Sequence, residues 1–133
     1  MVNTIHVQVS QVGPTTSQVV TRDHTILIDR PVAKGGHDQG AIGGELLLAS
    51  LGGCFMSNLL AAIAAREADI ADAQIAIAGT LEGAPARFSA IHMEVTARYQ
   101  DVALMRKLVT ISERSCIVAN TLKEAVDLTI TIA

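Results

Sequence analysis

The sequence is poor in aromatic residues, with no tryptophan, one tyrosine and two phenylalanines among 133 residues. Its core must therefore come from Ala, Leu, Ile and Val, and a hydrophobic content of 50% is ample for that. The same shortage leaves little to stack on bases. The ten Lys and Arg residues are dispersed and the net charge is -3, so nucleic-acid binding is not expected. Cysteine is scarce too, present only as Cys54 and Cys116. Two thiols are too few for a disulfide scaffold. Neither belongs to a Cys-x-x-Cys pair and no histidine stands at ligand spacing to either, so neither a metal nor another cofactor is expected. The opening "MVNTIHVQVSQ" has no charged region followed by an apolar run. It does not read as a signal peptide, and the expected location is the cytoplasm, where structural disulfides are rare. No linker or charge block interrupts the chain, which reads as a single domain over residues 1–133.

Periodicity supplies the elements. Residues 4–12 alternate, with Ile5, Val7 and Val9 on one face, and predict a strand that Gly13-Pro14 ends. A hairpin follows, rising to Thr21, turning at Arg22-Asp23-His24 and returning from Thr25 to Asp29. Residues 32–44 hold five glycines and predict a mobile loop. Ile75 and Ile77 mark a strand, Glu82-Gly83-Ala84-Pro85 a turn, and the alternation from Phe88 to Arg98 its hairpin partner. Asp101 reads as the N-cap of a helix carrying Leu104, Leu108 and Ile111. A short helix begins near Ser115-Cys116, and "DLTITIA" closes the chain as a strand. The order β-β-β-α-β-β-α-α-β groups like elements and predicts an α+β fold.

Between Glu45 and Arg66 there is no charged residue. The length suits a membrane span. Ser50, Ser57 and Asn58, the Gly52-Gly53 pair, and the lack of Trp, Tyr or a Lys/Arg cluster at either end argue against one. A helix apolar all round in a soluble protein is buried all round, so this segment is expected to be a central helix, shared with a second subunit. Ser50, Cys54, Ser57 and Asn58 fall on roughly one face. Spacing alone leaves open whether these small residues permit close packing or form a polar stripe prepared for thiol chemistry.

The segments "GGHDQGAIGGELLLASLGGC" and "ERSCIVANTLK" carry more specific information. Together they resemble the OsmC/Ohr family, the osmotically inducible and organic-hydroperoxide-resistance proteins, in the OsmC-like branch. The shared pattern is a Gly-rich loop, a Glu-Leu-rich helix start, a cysteine within that helix and a second cysteine segment of the form Cys-Pro-Val-Ser-x-x-Leu. Here Ile117 stands where Pro is usual and Ala119 where Ser is usual, and Glu45 lies nine residues before Cys54 rather than ten. The resemblance implies an intertwined homodimer with a buried central helix and sites at the subunit interface. It implies a thiol peroxidase acting on organic hydroperoxides, with Cys54 as the attacking and Cys116 as the resolving cysteine. Arg30, with Arg22 second, would activate the thiol and Glu45 would orient the arginine. A dithiol such as dihydrolipoamide would restore the pair.

The chemistry needs a thiolate, and burial in an apolar helix opposes one, so Cys54 is expected to have a positive group nearby. Cys116, at a helix start, is expected to gain from the dipole itself. The alternative function is a non-catalytic OsmC-like dimer binding a small apolar ligand in its interface pocket. The four histidines, scattered along the chain, are read as non-catalytic.

Overall fold

The computed structural model describes residues 2–133, which form two compact units divided at Leu47/Leu48. The N-terminal unit contains one antiparallel sheet of β1 (Gln8–Gln11), β2 (Ser17–Thr21) and β3 (His24–Ile28), in that order. Strand β1 is shorter than the alternation of residues 4–12 predicts. Its pairing with β2 ends at Gln8↔Val20, and β2 runs only one residue further, to Thr21, before the hairpin turn, so residues before Val7 have no strand to pair with. Arg22 takes φ +52° in that two-residue turn, as primed hairpin turns require.

The Gly-rich segment is not the free loop expected from composition. Residues Val32–Lys34 form a 3-10 turn, and Ala41 bridges to Ile28. Asp29 ties the rest together. Its Oδ1 accepts the Arg30 amide (2.7 Å), and its Oδ2 accepts the Thr16 hydroxyl (2.9 Å) and the amides of His37 (3.3 Å) and Gln39 (3.2 Å). The Arg30 carbonyl in turn accepts the Asp38 amide at 2.9 Å. This approach needs glycine at 36, where a Cβ would stand 2.0 Å from the Arg30 carbonyl oxygen.

Helix α1 (Gly43–Ala65) is the uncharged stretch, and the division between the units falls inside it. Ile42 precedes it, and Glu45 Oε1 accepts the Ile42 amide at 2.9 Å, one half of a capping box.

In the C-terminal unit, β4 (Ala71–Glu82) and β5 (Arg87–Arg98) make an antiparallel hairpin, and β6 (Asp127–Ile132) lies parallel to β5 on its other side. A parallel neighbour requires a crossover, here α2 (Val102–Ser115) and α3 (Ile117–Leu122). Asp101 caps α2 as expected, accepting the Leu104 amide at 3.0 Å. The core is one cluster that includes Leu51, Phe55 and Leu59 of α1, Ile91, Met93 and Val95 of β5, Met105 and Leu108 of α2, and the fully buried Cys116 and Ala119. By length and composition α1 could cross a membrane, but this face makes it a core helix. Apart from Gly52 and Ala62, which are buried too, its other positions are half-buried or exposed in the single chain, Leu60 being 53% exposed.

The overall class is α+β, with two sheets and three α-helices among the described residues, in the element order read from the sequence.

Candidate active site around Cys54 and Cys116

Cys54 lies in the middle of α1, half-buried. Cys116 is fully buried at the joint between α2 and α3. The chain makes Cys116 serve both helices. It ends α2, with its amide donating to the Glu113 carbonyl at 3.2 Å, and it is the N-cap of α3, with extended backbone (φ −78°, ψ 109°). Its sulfur accepts the Ala119 amide at 3.4 Å, in the role that Ser or Asp usually fills.

The first amides of a helix have no partner within it. In α3 they are satisfied by sulfur. The amides of Val118 and Ile117 both donate to Cys54, and so does the Cys116 thiol. Burial pushes the Cys54 thiol up, but these three donors outweigh it and hold Cys54 below the ordinary cysteine value. Burial also pushes Cys116 up. The Ala119 and Val118 amides oppose this, yet the neighbouring Cys54 sulfur adds to burial and Cys116 ends above the ordinary value. The expectation that the helix start favours the thiolate of Cys116 itself is thus not met. The start of α3 favours the thiolate of Cys54, because two of its amides point across to that sulfur while Cys116 is deeper and beside a like charge.

The rest of the predicted polar stripe divides. Asn58 Nδ2 reaches the Ser112 carbonyl of α2 at 3.5 Å. Ser57 Oγ donates back to the Gly53 carbonyl at 3.0 Å, within α1. In the N-terminal unit, Glu45 caps α1, Arg22 sits at the hairpin tip, and Arg30 lines a cavity of about 580 Å³ with Ile28 and Lys34. No group of three or more His, Cys, Asp or Glu that could hold a metal occurs among the described residues. Sequence reasoning sought a side-chain cation for Cys54 and missed the amides of Ile117 and Val118. The signal for them was the cysteine placed immediately before a short helix.

The sequence model of the OsmC-like protein family matches residues 36–131. The chain belongs to the OsmC-like family. No curated protein matches it. Solved structures share its fold at low sequence identity. A protein from Aquifex aeolicus has 19% identity and a TM-score of 0.83, with 99% of this chain and 96% of that one covered. An OsmC-like protein of unknown function from Vibrio cholerae has 11% identity and a TM-score of 0.83, covering 99% and 100%. The organic hydroperoxide resistance protein OhrB of Bacillus subtilis has 18% identity and a TM-score of 0.70, covering 98% of each. At these identities the likeness concerns the fold alone.

Proposed function

We propose that this OsmC-like protein is a thiol peroxidase that reduces organic hydroperoxides. The observation that carries the reading is the asymmetry of its two thiols. Cys54 is the more accessible and accepts three hydrogen bonds that favour its thiolate, while Cys116 is buried, stays protonated and donates to it. That division suits an attacking and a resolving cysteine.

The Cys54 thiolate attacks the terminal peroxide oxygen. The O–O bond breaks, the Cys54 sulfur becomes a sulfenic acid, and the alkoxide leaves as an alcohol after taking a proton. Cys116 then attacks the Cys54 sulfur. The S–S bond forms, and the sulfenic oxygen leaves as water with the Cys116 proton. An external dithiol, of the dihydrolipoamide class, supplies two electrons and two protons by exchange and returns both thiols. Forming the disulfide quickly protects Cys54 from further oxidation. The family resemblance assigns Arg30 and Glu45 supporting roles, and both stay in the proposal. Replacing either is expected to slow turnover less than losing Cys54.

The active form is proposed to be a homodimer. Val9, Val19 and Ile26 stand opposite one another across β1, β2 and β3. Val9 is 58% and Ile26 48% exposed in the single chain, a row that a second copy would cover.

The test is turnover of cumene hydroperoxide with dihydrolipoamide, combined with dimedone trapping. The expected results are loss of turnover in Cys54→Ser, and a dimedone adduct on Cys54 that accumulates in Cys116→Ser. Unchanged turnover in Cys54→Ser would sink the reading. An adduct on Cys116 in the unaltered protein would reverse the roles.

A further inference from the structure

The cavity of about 580 Å³ lies wholly within the N-terminal unit and contains neither cysteine. Its size is that of a small-molecule site. Three kinds of group line it. Ile28, Pro31 and Ile42 give apolar wall, Thr15 and Ser17 bring hydroxyls, and Arg30 and Lys34 bring two cations.

The cations are not neutralised by the protein. Among the described residues the ion pairs are Arg98–Asp72 and Lys123–Glu113, both in the other unit. Asp29 also borders the cavity, but its oxygens are taken by Thr16, Arg30, His37 and Gln39. Burial pushes its carboxyl up, but the hydroxyls of Thr15 and Thr16 and the amides of Arg30 and Gln39 outweigh this and hold it down at about 2, so it stays charged under ordinary conditions. Two cations against one carboxylate leave the lining one charge positive. The Asp29 network also fixes the backbone on both sides of Arg30, through the Arg30 amide and the Asp38 amide on its carbonyl. The cation therefore projects from an ordered frame.

We propose that this cavity binds a small organic monoanion, a carboxylate carrying an apolar chain. The carboxylate pairs with the Arg30 guanidinium, whose planar fork matches two oxygens at once, and Lys34 adds a second charge. The chain lies against Ile28, Pro31 and Ile42. A monoanion matches the single excess positive charge, whereas a dianion would leave negative charge uncompensated beside Asp29.

Sodium octanoate and 1-octanol are the probes, titrated calorimetrically into the full chain, with amide NMR shifts to locate binding. Octanoate is expected to bind at least about tenfold more tightly than octanol, since a charge-assisted pair is lost in the alcohol. Arg30→Ala and Lys34→Ala are each expected to weaken octanoate about tenfold and to leave octanol unchanged. Arg30→Lys should recover part of the loss. The shifts should centre on Ser17, Ile28 and Gly43. Equal binding of acid and alcohol, unimpaired binding in the Arg30→Ala/Lys34→Ala double variant, absence of octanoate binding, or shifts centred elsewhere would each overturn the proposal. Cys54→Ser should bind octanoate like the unaltered chain, so a failed peroxidase assay leaves this test intact.

Discussion

The two units of the chain are held together by different means. Every buried hydrophobic side chain among the described residues lies at or beyond Leu51, in the C-terminal unit. In the N-terminal unit the buried side chains are polar, Thr16 and Asp29, while Val7, Val9, Val20, Ile26 and Leu27 stay exposed. One unit is organised by an apolar cluster, the other by a carboxylate at the centre of a hydrogen-bond network. Apolar packing is non-directional and tolerates exchange of similar side chains. A hydrogen-bonded carboxylate is directional, and it depends on its charge. The units should therefore fail under different perturbations.

The largest effect is expected in the apolar cluster. Phe55 is fully buried at its centre. Phe55→Ala should cost about 3–5 kcal/mol in urea denaturation, through lost transfer energy and the cavity left behind. A loss near zero would mean that the cluster does not hold that unit. Next comes the contact of the Gly-rich segment with Arg30, just after β3. In Gly36→Ala the new Cβ would meet backbone, the Arg30 carbonyl oxygen at 2.0 Å, which cannot rotate away. A cost of about 1–3 kcal/mol is expected by analogy with overpacking. Hydrogen exchange should place the loosening in residues 29–41, with residues 91–95 unchanged. Equal loosening of both would break the distinction between the units.

Acid should separate them further. The Asp29 carboxyl is held at about 2 in the folded chain, against roughly 3.9 for an unperturbed aspartate. The unfolded chain therefore binds the proton first as pH falls. The stabilisation from Asp29 is complete above the unfolded value and disappears as pH drops through the folded one. Amide exchange of His37 and Gln39, which donate to this carboxylate, should accelerate between about pH 4 and pH 2. In Asp29→Asn the two amides should exchange fast throughout, with no such acid step. An acid step that survives in Asp29→Asn would assign it to another group.

Much of this arrangement was legible in the residues. Alternation located both hairpins, and its break at Arg22-Asp23-His24 marked the first turn, although nothing in those residues announced the positive φ of Arg22. Asp101 announced α2. The two cysteine segments suggested the site through their resemblance to the pattern of the OsmC/Ohr family, which spacing alone did not decide. Asp29 gave no such sign. Nothing in "ILIDRP" says that the carboxylate turns inward, because its donors come from Thr16, thirteen residues earlier, and from amides eight and ten residues later. A network closed by backbone groups has no side-chain signature. The same reason hid the amides on Cys54, since an N–H is present at almost every position and only the fold decides where it points.

The usual segment of the family has Pro after its second cysteine, and this chain has Ile117. Proline is well suited to the first position of a helix, and the extended backbone at Cys116 is compatible with a following proline. It has no N–H, however, so Ile117→Pro should leave α3 in place while removing one donor from Cys54. In the unaltered chain the rate of Cys54 alkylation by iodoacetamide should rise with pH to a midpoint below the ordinary thiol value of about 8.5, and Cys116 should react slowly at every pH. In Ile117→Pro the midpoint should move up, and the rate at about pH 7 should fall roughly three- to tenfold, the equivalent of one modest hydrogen bond to a thiolate. Cys54 should keep some advantage through the Val118 amide and the Cys116 thiol. An unchanged profile would mean that the Ile117 amide contributes nothing to the thiolate, and that a side-chain cation has to supply the charge instead.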